Sequence, residues 1–188
     1  MKPDAAPATD PISPVGDLSP LVVGGGCFWC LDAAFQLLPG VNRVTCGYAG
    51  GAVDHPSYEQ VYTDKTGHAE VVRIEFDPAQ ISLERVLEFF WHVHDSTQAD
   101  GQGGDLGTRY RSVIFSANET QRIAAEKSRD TEQAGLSKPI TTEILPLKKF
   151  WPAEEYHQNY FAQHPERAYC AAVIKPKIKK LQAALAVS

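Results

Sequence analysis

The run Leu21-Val22-Val23-Gly24-Gly25-Gly26-Cys27-Phe28-Trp29-Cys30 constrains this chain more than any other stretch. A short apolar segment breaks into three glycines, and an amphipathic pattern through Leu31, Ala34, Phe35 and Leu38 follows. That order spells strand, tight turn, helix, with Cys27 at or beside the helix N-terminus. Free backbone N–H groups and the positive end of the helix dipole there favour thiolate over thiol, and the thiolate is the nucleophile. Glycine has no Cβ, so such a turn lets the backbone come close to a ligand. The competing reading of Cys27 is a small buried hydrophobe, a common role for a free cysteine.

The 188 residues are 43% hydrophobic and 22% charged, enough for one domain with a sizeable core. A formal charge of -5 argues against a nucleic-acid footprint, which needs a clustered basic surface. Lys175, Lys177, Lys179 and Lys180 read instead as the solvated face of a terminal helix carrying Ile178, Leu181 and Leu185. No stretch is long and apolar enough to span a bilayer, and the N-terminus lacks the apolar core of a signal peptide. The expectation is a cytoplasmic monomer with no membrane or nucleic-acid partner. Four cysteines make no disulfide scaffold in a domain of this size, so in a reducing cytosol they are catalytic or incidental. Pro3, Pro7, Pro11 and Pro14 mark residues 1–20 as a flexible leader, with a single domain over 21–188.

Along that domain Val41 to Gly47 reads as a strand, Tyr58 to Tyr62 as a short extended or helical piece, and Val71 to Phe76 as an alternating strand. Ser82 is an N-cap candidate for a helix turning Leu83, Val86, Leu87 and Phe90 inward. Residues 92–107 read as a long functional loop, Tyr110 to Phe115 as a strand and Glu119 to Glu132 as a polar helix. A strand from Ile140 to Leu145 and a short helix or turn from Pro152 to Tyr160 follow. The pattern predicts an α+β fold, a two-layer α/β sandwich on a ferredoxin-like split β-α-β core with long loops.

Glu70 leads into the best strand beside Val71 and Val72, where a partly desolvated carboxyl keeps its proton near neutral pH and is a candidate general acid. Taken alone, it reads better as a solvated charge at a strand edge, and Tyr48, Tyr58, Tyr62 and Tyr110 as ordinary core or rim tyrosines. Together the stretches Gly26-Cys27-Phe28-Trp29, Gly47-Tyr48, Gly50-Gly51, Pro56-Ser57-Tyr58, Thr66-Gly67-His68-Ala69-Glu70, Phe76-Asp77-Pro78, Gly107-Thr108-Arg109-Tyr110-Arg111-Ser112 and Phe150-Trp151-Pro152-Ala153-Glu154-Glu155-Tyr156-His157-Gln158 resemble the peptide methionine-S-sulfoxide reductases of the A type. The resemblance runs from about Leu21 to Lys180 in the expected order. It implies reduction of methionine-S-sulfoxide, free or in oxidised proteins, with no bound cofactor or metal and with thioredoxin, or dithiothreitol in vitro, as external reductant. It makes Cys27 the nucleophile, Phe28 and Trp29 the wall for the substrate methyl, Glu70 the proton donor and Tyr58 and Tyr110 hydrogen-bond donors to the oxygen. Asp105 matches the family's aspartate that helps fix the site and the substrate backbone.

The sequence departs from the family's commonest pattern at Cys30, where Gly is usual, and at His55, Ser96, Gly104 and Arg109, the last standing where Gln is frequent. Tyr62 occupies a position that is Cys in some members. A sulfenic acid on Cys27 needs a second thiol, and Cys30, Cys46 and Cys170 are the candidates. Cys46 reads as strand packing, and Cys170 lies in a segment that resembles the family's mobile tail. Cys30, one helical turn away, is favoured by proximity. Two other readings use the same residues: a thiol–disulfide oxidoreductase built on the Cys27–Cys30 pair, and a structural zinc site adding His92 and His94. The first leaves Glu70 and the tyrosines unexplained, and the second lacks a further ligand pair at metal spacing.

Overall fold

The computed structural model describes residues 20–99 and 101–186, so the leader expected over 1–20 lies outside it apart from Pro20. The apolar run is strand β1 (Leu21–Gly24), buried at every position, and the glycines turn it into helix α1 (Phe28–Phe35) with Cys27 as N-cap. Strand β2 (Val41–Ala49) and helix α2 (Tyr58–Tyr62) follow, then β3 (Ala69–Phe76) and α3 (Leu83–Val93). A small hairpin, β4 (Gly101–Gln102) with β5 (Asp105–Leu106), precedes β6 (Val113–Ser116) and α4 (Glu119–Gln133). The chain closes through β7 (Glu143–Pro146), β8 (Phe150–Pro152) and α5 (Tyr160–Gln163). A π-helical turn, Cys170–Ile174, then runs into α6 (Lys175–Leu185).

The sheet order is β7-β6-β1-β3-β2-β8. Its centre, β6-β1-β3-β2, is antiparallel throughout, with α1 crossing from β1 to β2 and α3 from β3 to β6. This is the split β-α-β core read from the sequence. β7 adds parallel to β6, and β8 antiparallel to β2. Strand alternation divides the apolar side chains between two faces. Val72 and Ile74 join Phe28, Leu31, Phe35, Leu87 and Phe90 under the helices. Val71 joins Val22, Val113 and Phe115 on the other face, which Leu147 and Phe150 cover. Full burial of each such side chain contributes roughly 1.5–3 kcal/mol.

The local signals explain most boundaries. Ser82 Oγ accepts the Arg85 N–H at 3.2 Å and caps α3, an arrangement worth about 1 kcal/mol. A capping box between Ser57 and Gln60 makes the Tyr58 segment helical rather than extended. Two expectations need correction. Tyr110 is not in a strand: Gly107, at φ 125°, opens a 3-10 turn over Thr108–Tyr110, and β6 begins only at Val113. The stretch 92–107 is not all loop, because α3 runs on to Val93 and the hairpin occupies part of the rest. Among the described residues no helix is long and apolar enough to cross a membrane.

Candidate active site

Cys27 stands where β1 passes into α1, and its carbonyl accepts the N–H of Cys30 at 3.0 Å and of Leu31 at 3.4 Å. The preceding glycines let protein, rather than ligand, come close. A Cβ on Gly25 would meet the His94 ring at 2.9 Å, and one on Gly26, at φ 96°, would meet Gln102 at 2.8 Å. The Gly26 N–H donates to the Tyr110 carbonyl at 3.0 Å, which ties the Tyr110 turn to the cysteine.

Glu70 is 2% exposed in β3, opposite Tyr48 of β2, and its Oε2 accepts the Phe28 N–H at 3.1 Å. Burial raises its carboxyl to about 8, against the opposing pull of the Phe28 N–H and the Arg109 cation, so it holds its proton at neutral pH. The bland alternative of a solvated edge charge is thereby removed.

One helix-terminal donor is thus taken by Glu70 rather than Cys27. Burial, a hydrogen bond with Cys30 and the charge of Glu70 push the Cys27 thiol up, not down. The expected thiolate lies one turn on. The bond from Cys27 lowers Cys30 to about 7 against its burial, and Lys177 and Tyr169 help. The two thiols titrate as a coupled pair, in which the surroundings favour ionisation at Cys30 over Cys27.

Tyr58 and Tyr110 both belong to this neighbourhood. Burial and then the charge of Glu70 raise each phenol, Tyr58 to about 12, with Cys27 adding to both, so both remain hydrogen-bond donors. Phe28 is 1% exposed and packs on His157 and Tyr48 with centroids 4.9 and 5.9 Å apart. The half-buried Trp29 stacks on Tyr160 at 3.8 Å and 6°, and its Nε1–H donates to His157 Nδ1 at 3.2 Å. Asp105 sits on the opposite flank, where its Oδ2 accepts the Tyr169 hydroxyl at 2.5 Å. That hydroxyl is also 3.8 Å from Cys30 Sγ.

Cys46 is buried with its thiol 3.7 Å from the Phe28 carbonyl, in keeping with a packing role. Cys170 is buried in the π-helical turn, and its thiol is raised by burial and by the charge of Cys30. A cavity of about 770 Å³ between α3 and α6 opens onto Cys27 and Cys30 beside Tyr169 and Lys177. Among the described residues no group of three or more His, Cys, Asp or Glu gathers as a metal site. His94 is engaged by the Phe90 carbonyl at 2.8 Å and the Ser112 hydroxyl at 2.6 Å.

Sequence reasoning missed several side chains that brace these groups. Glu154 accepts the Tyr48 hydroxyl at 2.9 Å and the Tyr58 N–H at 2.8 Å, an anion at the start of α2. His157 and Tyr160 orient Trp29. Glu154 and His157 lie in the stretch Phe150–Gln158, whose pattern was visible but whose contacts, about 100 residues away in sequence, were not. Tyr169 had no signal beyond its place next to Cys170.

Known proteins resemble this chain over most of its length. A family model described as peptide methionine sulfoxide reductase matches residues 19–187. A peptide methionine sulfoxide reductase of Nautilia profundicola is 49% identical over 160 residues, covering 85% of this chain and 91% of the relative. The structure of Saccharomyces cerevisiae Mxr1 in reduced form is similar with a TM-score of 0.76 and 31% identity, covering 80% of this chain and 88% of that one. The same yeast protein in complex with Trx2 aligns with a TM-score of 0.55 and 22% identity over 79% and 89% of the two chains, a likeness of fold.

Proposed function

The chain belongs to the peptide methionine sulfoxide reductase family, and from that premise we propose that Cys27 reduces methionine-S-sulfoxide by taking its oxygen. The observation that carries this reading is the buried Glu70 carboxyl, bonded to the Phe28 N–H at the helix start that bears Cys27 and raised by burial. A sulfoxide has a polar S–O bond and a small apolar methyl, so it needs donors on one side and an aromatic wall on the other. Glu70, Tyr58 and Tyr110 are the donors, and Phe28 and Trp29 the wall.

In the first step Cys27 attacks the sulfoxide sulfur while handing its proton to the Cys30 thiolate, and Glu70 protonates the sulfoxide oxygen. The protonated oxygen then passes from the substrate sulfur to the Cys27 sulfur as the S–O bond and the transient S–S bond break, the latter leaving its electron pair on the substrate sulfur; methionine departs and Cys27 holds the hydroxyl as a sulfenic acid. Cys30 then loses its proton again, attacks the Cys27 sulfur and expels hydroxide, which leaves as water and gives a Cys27–Cys30 disulfide. An external dithiol reduces that bond by exchange, becoming a disulfide itself. The solved complex of yeast Mxr1 with Trx2 motivates assigning a thioredoxin to that role. Asp105, bonded to Tyr169, helps fix the flank on which a substrate backbone lies. The reading takes residues 21–188 as one catalytic domain, working as a cytoplasmic monomer without a bound cofactor on free or protein-bound methionine sulfoxide.

The test is thiol mass mapping after one turnover with excess methionine sulfoxide and no reductant. Wild type should yield methionine and a Cys27–Cys30 linkage, while Cys30→Ser reacts once, more slowly, and stalls with thioredoxin. Cys27 joined to Cys170, with Cys30→Ser still recycling, would assign resolution to the C-terminal segment instead. Absence of methionine from the wild type would return Cys27 and Cys30 to a plain thiol–disulfide pair.

A further inference from the structure

The two tyrosines assigned above to the sulfoxide oxygen come from separate segments. Tyr58 opens α2, whereas Tyr110 ends the turn Thr108–Tyr110. Asp64 and Arg109 bridge them. Asp64, two residues beyond α2, places its Oδ2 2.5 Å from Arg109 Nη1. Its Oδ1 accepts the Arg109 backbone N–H at 3.0 Å and the Thr108 hydroxyl at 3.2 Å. The guanidinium carbon lies 4.4 Å from the ring centroid of Tyr62, at the end of α2, and 4.4 Å from that of Tyr110. The Arg109 side chain is 9% exposed, and its Nε has no hydrogen-bond partner. Asp64 and Gly107 take left-handed conformations, φ 58° and 125°, to bring the pair together. A Cβ on Gly107 would meet the Asp64 carboxylate at 2.5 Å and Arg109 Nη1 at 2.6 Å.

We propose that Arg109 is a positioning residue for sulfoxide reduction: clamped by Asp64 and stacked on Tyr62 and Tyr110, it holds the Tyr58 and Tyr110 segments in register and keeps a buried cation beside Glu70. The inference rests on the roles given above to Glu70 and the tyrosines. A planar guanidinium does both tasks because its fork pairs with a carboxylate while its faces stack on rings, which an ammonium does not reproduce.

Glu70 is faced by Cys27, Cys30 and the Phe28 N–H from the start of α1, by Cys46 and Tyr48 from β2, and by Tyr58 from α2. Asp105 of β5 and the turn bearing Arg109 and Tyr110 complete the set. Of these groups Arg109 is the cation. It draws the Glu70 proton off more easily, so its removal makes Glu70 a weaker acid. A clamp without electrostatic effect would slow the reaction and leave the pH profile in place.

The experiment is the single-turnover rate of methionine formation against pH for wild type, Arg109→Gln, Arg109→Lys and Asp64→Asn. Arg109→Gln should lower the maximal rate about tenfold to a hundredfold, the scale of a misplaced donor, with substrate affinity changed only a few-fold. Its alkaline limb should move to higher pH. Arg109→Lys should keep the limb near wild type with a rate between the two. Asp64→Asn keeps the cation but loses the clamp that holds it, so its rate should fall; it also stands in if Arg109→Gln does not fold. An unmoved limb in Arg109→Gln, or a wild-type rate in Asp64→Asn, overturns the proposal. Neither outcome touches the proposed function, whose failure shows separately as a wild type that forms no methionine.

Discussion

The two flanks of the Cys27–Cys30 pair are built by opposite physical rules. On the Glu70 flank the titrating group is a carboxyl deep in the central sheet, and burial dominates, raising it to about 8. On the Tyr169 flank the titrating group is the Cys30 thiol, and the hydrogen bond from Cys27 dominates, with Lys177 and Tyr169 of this flank adding to it, lowering the thiol to about 7 despite burial. The first flank belongs to β3, α2 and the Thr108–Tyr110 turn; the second belongs to the hairpin and the C-terminal segment. One side is arranged to deliver a proton and the other to hold a negative charge, with two sulfurs between them. The difference teaches that a helix N-terminus does not by itself decide which cysteine ionises. The N–H beside Cys27 serves Glu70, so the charge settles one turn along.

The most severe way to break this comparison is to remove the sulfur the two flanks share. Cys27→Ser should abolish methionine formation, because an alcohol at neutral pH is a far poorer nucleophile toward sulfur and forms no sulfenic acid. Turnover above a no-enzyme blank would separate the two flanks from any common chemistry.

Next in size is the acid flank alone. Glu70→Gln should slow the single-turnover rate by on the order of 10²-fold while substrate still binds. The pH dependence gives the sign. Glu70 donates only while protonated, so wild-type rate falls as pH rises through about 8, and it also falls below about 7 as Cys30 is protonated. Glu70→Gln should lose the alkaline fall and keep the acid one. A rate within a few-fold of wild type, with both limbs intact, would reduce Glu70 to packing.

The acid flank was largely legible in the sequence and the thiol flank was not, for a physical reason. Strand periodicity together with the glycine turn made the core of the fold legible, and the place of Glu70 beside Val71 and Val72 made it a candidate acid, although its own pattern fitted a solvated edge charge better and its burial comes from packing against the start of α1. The split β-α-β order followed from alternating patterns of the same kind. Tyr169, Lys177 and Asp105 meet only through tertiary folding, since Tyr169 bonds a residue 64 positions earlier and Cys30 feels groups from the C-terminal helix. Local pattern carries no information about such pairs. The same limit explains why Arg109 read as a departure from the usual glutamine, while its partner Asp64, 45 positions away, was invisible.

The smallest expected effect sharpens the thiol flank. The Tyr169 hydroxyl has one proton, which it gives to Asp105 Oδ2 at 2.5 Å, and Cys30 Sγ is a more distant 3.8 Å. Among the influences that lower Cys30, the bond from Cys27 is the largest, Lys177 comes next and Tyr169 is third. Tyr169→Phe should therefore raise the Cys30 thiol only slightly, slowing its alkylation near neutral pH by about twofold, since reactivity follows the thiolate fraction. Lys177→Gln should slow the same reaction more. The measurement is the rate of iodoacetamide labelling at Cys30, followed by peptide mass against pH in a Cys46→Ser, Cys170→Ser background. A Tyr169→Phe effect larger than that of Lys177→Gln would mean the phenol turns its proton from Asp105 to the Cys30 thiolate. The charge on this flank would then be held by a single hydroxyl shared between a carboxylate and a sulfur, rather than by the dithiol and a nearby ammonium.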